Sequence, residues 1–262
     1  VYRGGLPGRP VVWFQYAETR SGEVPREFLF PGGVAPAALC DPPPSLYLLS
    51  DGYGGYNALA REPGIKGHAA CWAHVRRKFV EAAQGRKNTA AAHQMVALIG
   101  KLYAIERELR DASPGERKAA REARSTPILD KTKAWLDAKA PCVLPKGLLG
   151  QAIAYTLGLW PQLTTLLEDG HIPVDNNLAE NAIRPFVVGR KNFLFSGSPR
   201  GAHASATLYS LIETAKANGL EPRAYLSFLF ERLPAASAPE ELDALLPQNL
   251  APDDLKLELP KL

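Results

Sequence analysis

The chain has 262 residues, 46% of them hydrophobic and 22% charged, and 31 Lys and Arg against 27 Asp and Glu leave a formal charge of +4. These values exclude disorder or a fibrous repeat as a description of the whole, and the length suffices for one large domain or two smaller ones with a buried core. The small cationic excess permits a polyanionic partner without demanding one.

Val11 to Tyr16 (VVWFQY) is a β-branched and aromatic run that predicts a strand, with Gly/Pro-rich sequence before it and a polar turn after it. Residues 31–44 carry five prolines and no periodicity and read as an irregular loop. Strands are expected at Leu46–Ser50 and Ile65–Trp72, with a short helix at Tyr53–Arg61 between them, the order of an α/β layer. From about Val75 the pattern turns helical. Met95, Leu98, Leu102, Ile105 and Leu109 mark one face of a long helix, which Ser113-Pro114-Gly115 breaks. The charged run ERKAAREAR (116–124) reads mostly as a solvated helix face. Another break falls at Pro141–Pro145, and a further helix is expected from about Leu148 to Leu167. Asp175 is placed to cap a helix that Pro185 stops or kinks. Residues 189–201 (GRKNFLFSGSPRG) suggest a short strand or a loop with glycine turns. Helices at Ala204–Asn218 and Pro222–Arg232 and a leucine-bearing tail complete the chain, with no internal repeat.

The cysteines, Cys40, Cys71 and Cys142, are odd in number and widely spaced, which is no disulfide framework and fits a reducing cytosol. No segment approaches the roughly 20 apolar residues of a membrane span, and no basic-then-apolar leader opens the chain. Because the chain starts at Val1 and its one methionine is Met95, it reads as a piece of something longer.

Four features carry candidate chemistry. Asp51, at the end of an apolar strand and followed by Gly52, is placed at the carboxyl edge of a sheet, where a side chain can face a crevice. The alternative is a turn aspartate bonded to its own backbone. On the helix after Asp175, Asn176, Glu180 and Arg184 lie four apart, with Asn177 and Asn181 beside them. Asn is a poor helix former, so this face suits a polar, charged ligand; the alternative is an Asn-capped helix with a Glu–Arg surface pair. From Asn181 to Ile212 there is no acid, while Arg184, Arg190, Lys191 and Arg200 are cationic, a pattern that suits phosphate oxygens. Finally, Cys71 and His74 have half the spacing of a zinc site, but Cys142 and His171 are isolated, so a buried thiol and a hydrogen-bonded imidazole are the preferred reading. Arg76, Arg77 and Lys78 then open the next helix as a basic patch.

Taken in order, SDGYGGYN, GHAACWAHVRRKF, DNNLAENAIRP, GRKNFLFSGSPRG, LYSLIETAKANGLEPRAYL and LDALLPQNL resemble the transposases of insertion-sequence-66 (IS66) elements over about Val11 to Leu250. The resemblance implies an α/β fold: a ribonuclease-H-like core with a DDE acidic triad over residues 1–208, a large helical insertion at about 76–170, a small helical C-terminal domain at 209–250, and a tail at 251–262. Asp51 corresponds to the second acid and Glu180 to the third. Both would ligate Mg²⁺ in a two-metal site, with Mn²⁺ as a substitute, and Cys71 and His74 match a signature with a structural role. Arg184, Arg190, Lys191 and Arg200 would hold the backbone of DNA, both element ends and target.

Self-association or pairing with a full-length transposase, a bacterial cytoplasmic and nucleoid-associated location, and no membrane partner are also implied. The family's first acid lies on a strand upstream of Val1. Glu18, Glu23, Glu27 and Asp41 are the acids before Asp51, and none is placed to replace it, so this chain is expected to be an inactive fragment of an enzyme that cleaves and joins DNA. The proline-rich loop is longer than the family's link. The alternatives are a non-catalytic DNA-binding or assembly protein derived from a transposase, marked by salt-dependent and metal-independent binding, and a metal-dependent nuclease without joining activity.

Overall fold

The structure, a computed structural model, describes residues 1–6, 8–19, 21–30, 46–85, 89–192 and 196–255. The expected proline-rich loop at 31–44 lies outside them, as does the centre of the expected strand or loop at 189–201. The chain is α/β and predominantly helical. Its strands among the described residues form two separate two-stranded sheets. No described helix is long and apolar enough to cross a membrane. The chain divides into two compact units, one formed by residues 1–18 and 177–262, the other by 19–176.

The 19–176 unit opens with α1 (Glu23–Leu29), a helix that periodicity missed because seven residues complete barely two turns and Pro25 sits in the first of them, where its missing N–H costs little. Strands β3 (Leu46–Ser50) and β4 (Ile65–Ala70) are parallel, with Ser50 opposite Ala70. The expected helix between them is two isolated 3₁₀ turns, Gly54–Tyr56 and Leu59–Arg61, since Gly54 and Gly55 disfavour an α-helix.

The helices of this unit are α2 (Trp72–Ala83), α3 (Thr89–Glu108), α4 (Pro114–Ala120), α5 (Thr126–Lys139), α6 (Leu148–Gly158) and α7 (Trp160–Thr164). The α3 stripe is as the spacing predicts: Met95, Leu98, Leu102 and Ile105 are buried. Leu109 falls just past the helix end. The single helix expected over 148–167 is broken at Leu159, between Gly158 and Pro161, because proline has no N–H to continue the ladder. Trp72 anchors the core, donating its indole N–H to the Leu163 carbonyl at 3.0 Å and meeting Trp160 edge-on.

The charged run 116–124 differs from expectation in part at Arg117, whose guanidinium bonds the Gly170, Leu109 and Arg110 carbonyls, and above all at Arg121. A π-helical turn, Arg121–Ser125, joins α4 to α5, and Arg121 is fully buried. Its five N–H groups bond both Glu106 carboxylate oxygens (2.7 Å each) and the carbonyls of Leu166, Asp169 and Ile172. Local composition hides this because every partner is at least 15 residues away.

In the other unit β1 (Tyr2–Leu6) and β2 (Arg9–Trp13) form an antiparallel hairpin. The sequence YRGGL lacks the β-branched signal that would have announced β1. Helices α8 (Asn177–Gly189), α9 (Pro199–Ala217), α10 (Pro222–Arg232) and α11 (Pro239–Ala244) follow. Pro185 lies inside α8 without ending it; the carbonyl of the exposed Asn181 forgoes an amide partner there. One small core gathers Val12, Phe14, Ala182 and Ala206, with Phe186 and Tyr209 against it. A second gathers Tyr225, Phe228, Leu229 and Leu245, where the Tyr225 hydroxyl donates to the Leu245 carbonyl at 3.2 Å.

Candidate functional site

Asp51 follows β3 directly, at the carboxyl end of the parallel pair. The ladder runs one residue further, Cys71 N–H donating to the Ser50 carbonyl at 3.1 Å. Beyond it the chain turns through Gly52 at φ +84°, where a Cβ would stand 2.7 Å from Leu159 Cδ1. Only glycine takes this backbone without strain. Asp51 is exposed at the sheet edge, and its Oδ1 accepts the Tyr53 N–H at 3.0 Å, the Asx turn of the alternative reading.

The support beneath Asp51 comes from residues that sequence reasoning missed. The buried Ser50 hydroxyl pairs with His68 Nε2 at 2.7 Å and accepts the Gly52 N–H at 3.2 Å. Burial pushes the His68 imidazole below its usual value, which favours the neutral ring. Tyr155, on α6, donates its hydroxyl to the Asp51 carbonyl at 2.9 Å. Tyr56 also faces Asp51 closely enough to feel its charge. Burial first, and the Asp51 charge second, raise both phenols above the ordinary tyrosine value. Lys78 Nζ stands 4.7 Å from the centre of the Tyr155 ring, a cation–π contact. Tyr155 is 104 residues from Asp51, so no local signal could have joined them.

Cys71 follows β4 at the same edge and precedes α2. It is buried, and its sulfur accepts the Asn176 N–H at 3.5 Å. Burial raises its thiol, against the pull of the amides of Asn176, His74 and Ala73, while nearby Asp175 adds to the rise. His74 lies in the first turn of α2. The Asp175 carboxylate accepts the Tyr103 hydroxyl at 2.8 Å, and α8 begins two residues later, at Asn177. Among the described residues no three His, Cys, Asp or Glu side chains gather as a metal-ligand group.

Glu180 lies in the first turn of α8, in the other unit from Asp51. It is half-buried, while Asn181 and Arg184 are exposed. Arg190 and Lys191 follow the end of α8, and Arg200 lies in the first turn of α9, where Ser198 accepts the Gly201 N–H at 3.1 Å. All three cations are exposed.

The sequence pattern of the Transposase IS66 family matches residues 1–204, and that of the IS66 C-terminal element matches residues 210–248. The chain is 35% identical to the uncharacterized protein y4jD of Sinorhizobium fredii over 95% of its own length and 47% of that protein's. It is 34% identical to the uncharacterized protein y4qI of the same organism, over 78% of this chain and 39% of the relative. The chain thus spans about half the length, or less, of these curated relatives. No solved structure matches it. With both family patterns in sequence across nearly its whole length, the chain belongs to the IS66 transposase family.

Proposed function

We propose that this chain is the catalytic-core and C-terminal portion of a DDE-type DNA transposase, with a ribonuclease-H-like core whose second and third acids are Asp51 and Glu180. The observation that carries the reading is the placement of Asp51: an exposed carboxylate directly after a parallel strand, on a turn that Gly52, Ser50 and Tyr155 hold. Such an edge is where α/β sheets bind ligands.

The donor chemistry suits Mg²⁺, a hard cation that takes one or two carboxylates and keeps waters. Asp51 and Glu180 would hold it, with Mn²⁺ as a substitute. Two such ions, when bound, activate an attacking water or 3′-hydroxyl and stabilise the leaving oxygen of a phosphodiester. The protein's own part is to fix the carboxylates and position the DNA. Arg184, Arg190, Lys191 and Arg200 neutralise backbone phosphates, which makes binding weaken with salt. Residues 1–262 supply two of the three acids, so this polypeptide by itself binds DNA and does not cut it.

Fe²⁺-directed oxidative cleavage tests the pairing of the acids, because the ion cuts the polypeptide beside its own ligands. Cuts next to residues 51 and 180 that excess Mg²⁺ suppresses are expected; cutting at one of them alone would end the shared-site reading. On labelled element-end DNA with Mg²⁺, no nicking is expected. Robust nicking lost in Asp51→Ala would overturn the inactivity of the isolated chain.

A further inference from the structure

The unit of residues 1–18 and 177–262 contains a cavity of about 490 Å³, within the roughly 300–1,000 Å³ range of small-ligand sites. We infer that this cavity receives one unstacked DNA base; the inference rests on the DNA-binding reading above and extends it to a specific pocket.

Its walls are aromatic. Phe14 and Phe186 line it, their ring centres 6.3 Å apart, and Tyr209 packs behind both, 5.8 Å from Phe14 and 5.1 Å from Phe186. Tyr16 lines the cavity beside them. A base presents a flat π-face that stacks on such rings whatever its identity. Ala202 and Ala206 of α9 also line it and leave the space that larger side chains would fill. The lining holds one formal side-chain charge, the Arg190 guanidinium, together with Ser196 and Ser198, and no acid.

Charge selects the occupant. A purely apolar ligand has no use for Arg190, and a cationic one is opposed by it and by Arg184, Lys191 and Arg200 on a stretch of sequence, 181–212, without a single acid. A nucleotide satisfies both halves, its base against the rings and its phosphate toward the guanidinium. Taking a base out of a duplex costs a few kcal/mol, least where the strand is already unpaired, so the pocket favours single-stranded or frayed DNA ends over closed duplex.

The test compares two probes on the intact chain: a duplex with a three-nucleotide single-stranded overhang, and the same DNA with abasic sites in the overhang. Wild-type protein is expected to bind the base-bearing overhang about tenfold more tightly. Ala202→Phe, which fills the cavity, is expected to bring that ratio to one, with thermal unfolding confirming that the variant is folded. Equal wild-type affinity for both probes, with salt-dependent binding retained, overturns the pocket and leaves the DNA-binding reading standing. Absence of salt-dependent binding to either probe overturns both.

Discussion

Thr214 on α9 and Val12 on β2 exchange two hydrogen bonds: the Val12 N–H donates to Thr214 Oγ1 and that hydroxyl donates to the Val12 carbonyl, both at 3.0 Å. Ser210 Oγ accepts the Phe14 N–H at 2.8 Å while its own proton goes to the Ala206 carbonyl at 2.7 Å, and Asn218 donates to the Pro10 carbonyl at 2.8 Å. Residues 210, 214 and 218 are four apart on a helix, a rise of about 6.0 Å per step. Residues 14, 12 and 10 are two apart on a strand, about 6.8 Å per step. The near match lets one helix face stand in for a neighbouring strand. Thr214→Val keeps the shape but strands a buried N–H and a buried carbonyl. A loss of about 2 kcal/mol is expected in urea unfolding; a change under 0.5 kcal/mol would show that water replaces the hydroxyl.

Arg121 is the other buried polar group on which much packing depends. Replacing it with Lys keeps the charge but provides three donors on a flexible stem for five acceptor positions fixed to a planar fork. It also leaves the Glu106 carboxylate, 14% exposed, poorly paired. Arg121→Lys is expected to cost about 3 kcal/mol and Arg121→Ala about 3–5 kcal/mol. Equilibrium denaturation of both variants measures this, and two near-neutral results would mean that the π-helical turn is held by other contacts.

What the sequence revealed followed from local periodicity. The stripe of Met95, Leu98, Leu102 and Ile105 announced α3 because burial on a helix repeats every three to four residues. The apolar run before Asp51 announced β3, and the glycine after it announced the turn. The devices that hold Asp51 in place were illegible, since Tyr155 and His68 act across 104 and 18 residues and neither spacing leaves a pattern. Arg121 was misread for the same reason: the three residues after it are exposed, and only its distant partners explain its burial. The Ser210–Thr214–Asn218 stripe is the exception in principle. Three hydrogen-bonding side chains at intervals of four are a readable signal for a strand edge.

The two cysteines among the described residues separate by environment. Cys142 is exposed, whereas Cys71 is buried and its thiol is raised chiefly by that burial. The thiolate is the reactive form, so a raised thiol holds less of it at neutral pH, and access is closed as well. A thiol reagent at pH 7 is expected to label native protein at Cys142 within minutes and at Cys71 only on unfolding. Peptide mass spectrometry resolves the two sites; equal labelling in the native state would contradict a purely structural role for Cys71.

The turn that presents Asp51 makes the most direct link from fold to proposed chemistry. Gly52→Ala places a Cβ at φ +84° and close to Leu159. The methyl end of Leu159 can yield, so the backbone term dominates, about 1–2 kcal/mol. Tyr155→Phe removes one partly exposed hydrogen bond while keeping the ring beneath Lys78, a cost of about 0.5–1 kcal/mol. If the turn only stabilised the fold, Gly52→Ala would be the more damaging variant in every measurement. If it also aims the carboxylate, Tyr155→Phe must weaken Fe²⁺-directed cutting beside residue 51 out of proportion to its small stability loss. Cutting efficiency plotted against unfolding free energy for the two variants distinguishes these cases. Both points on one line with the wild type would reduce Tyr155 to packing, and a Tyr155→Phe point well below that line identifies the helical insertion as the element that sets the position of Asp51.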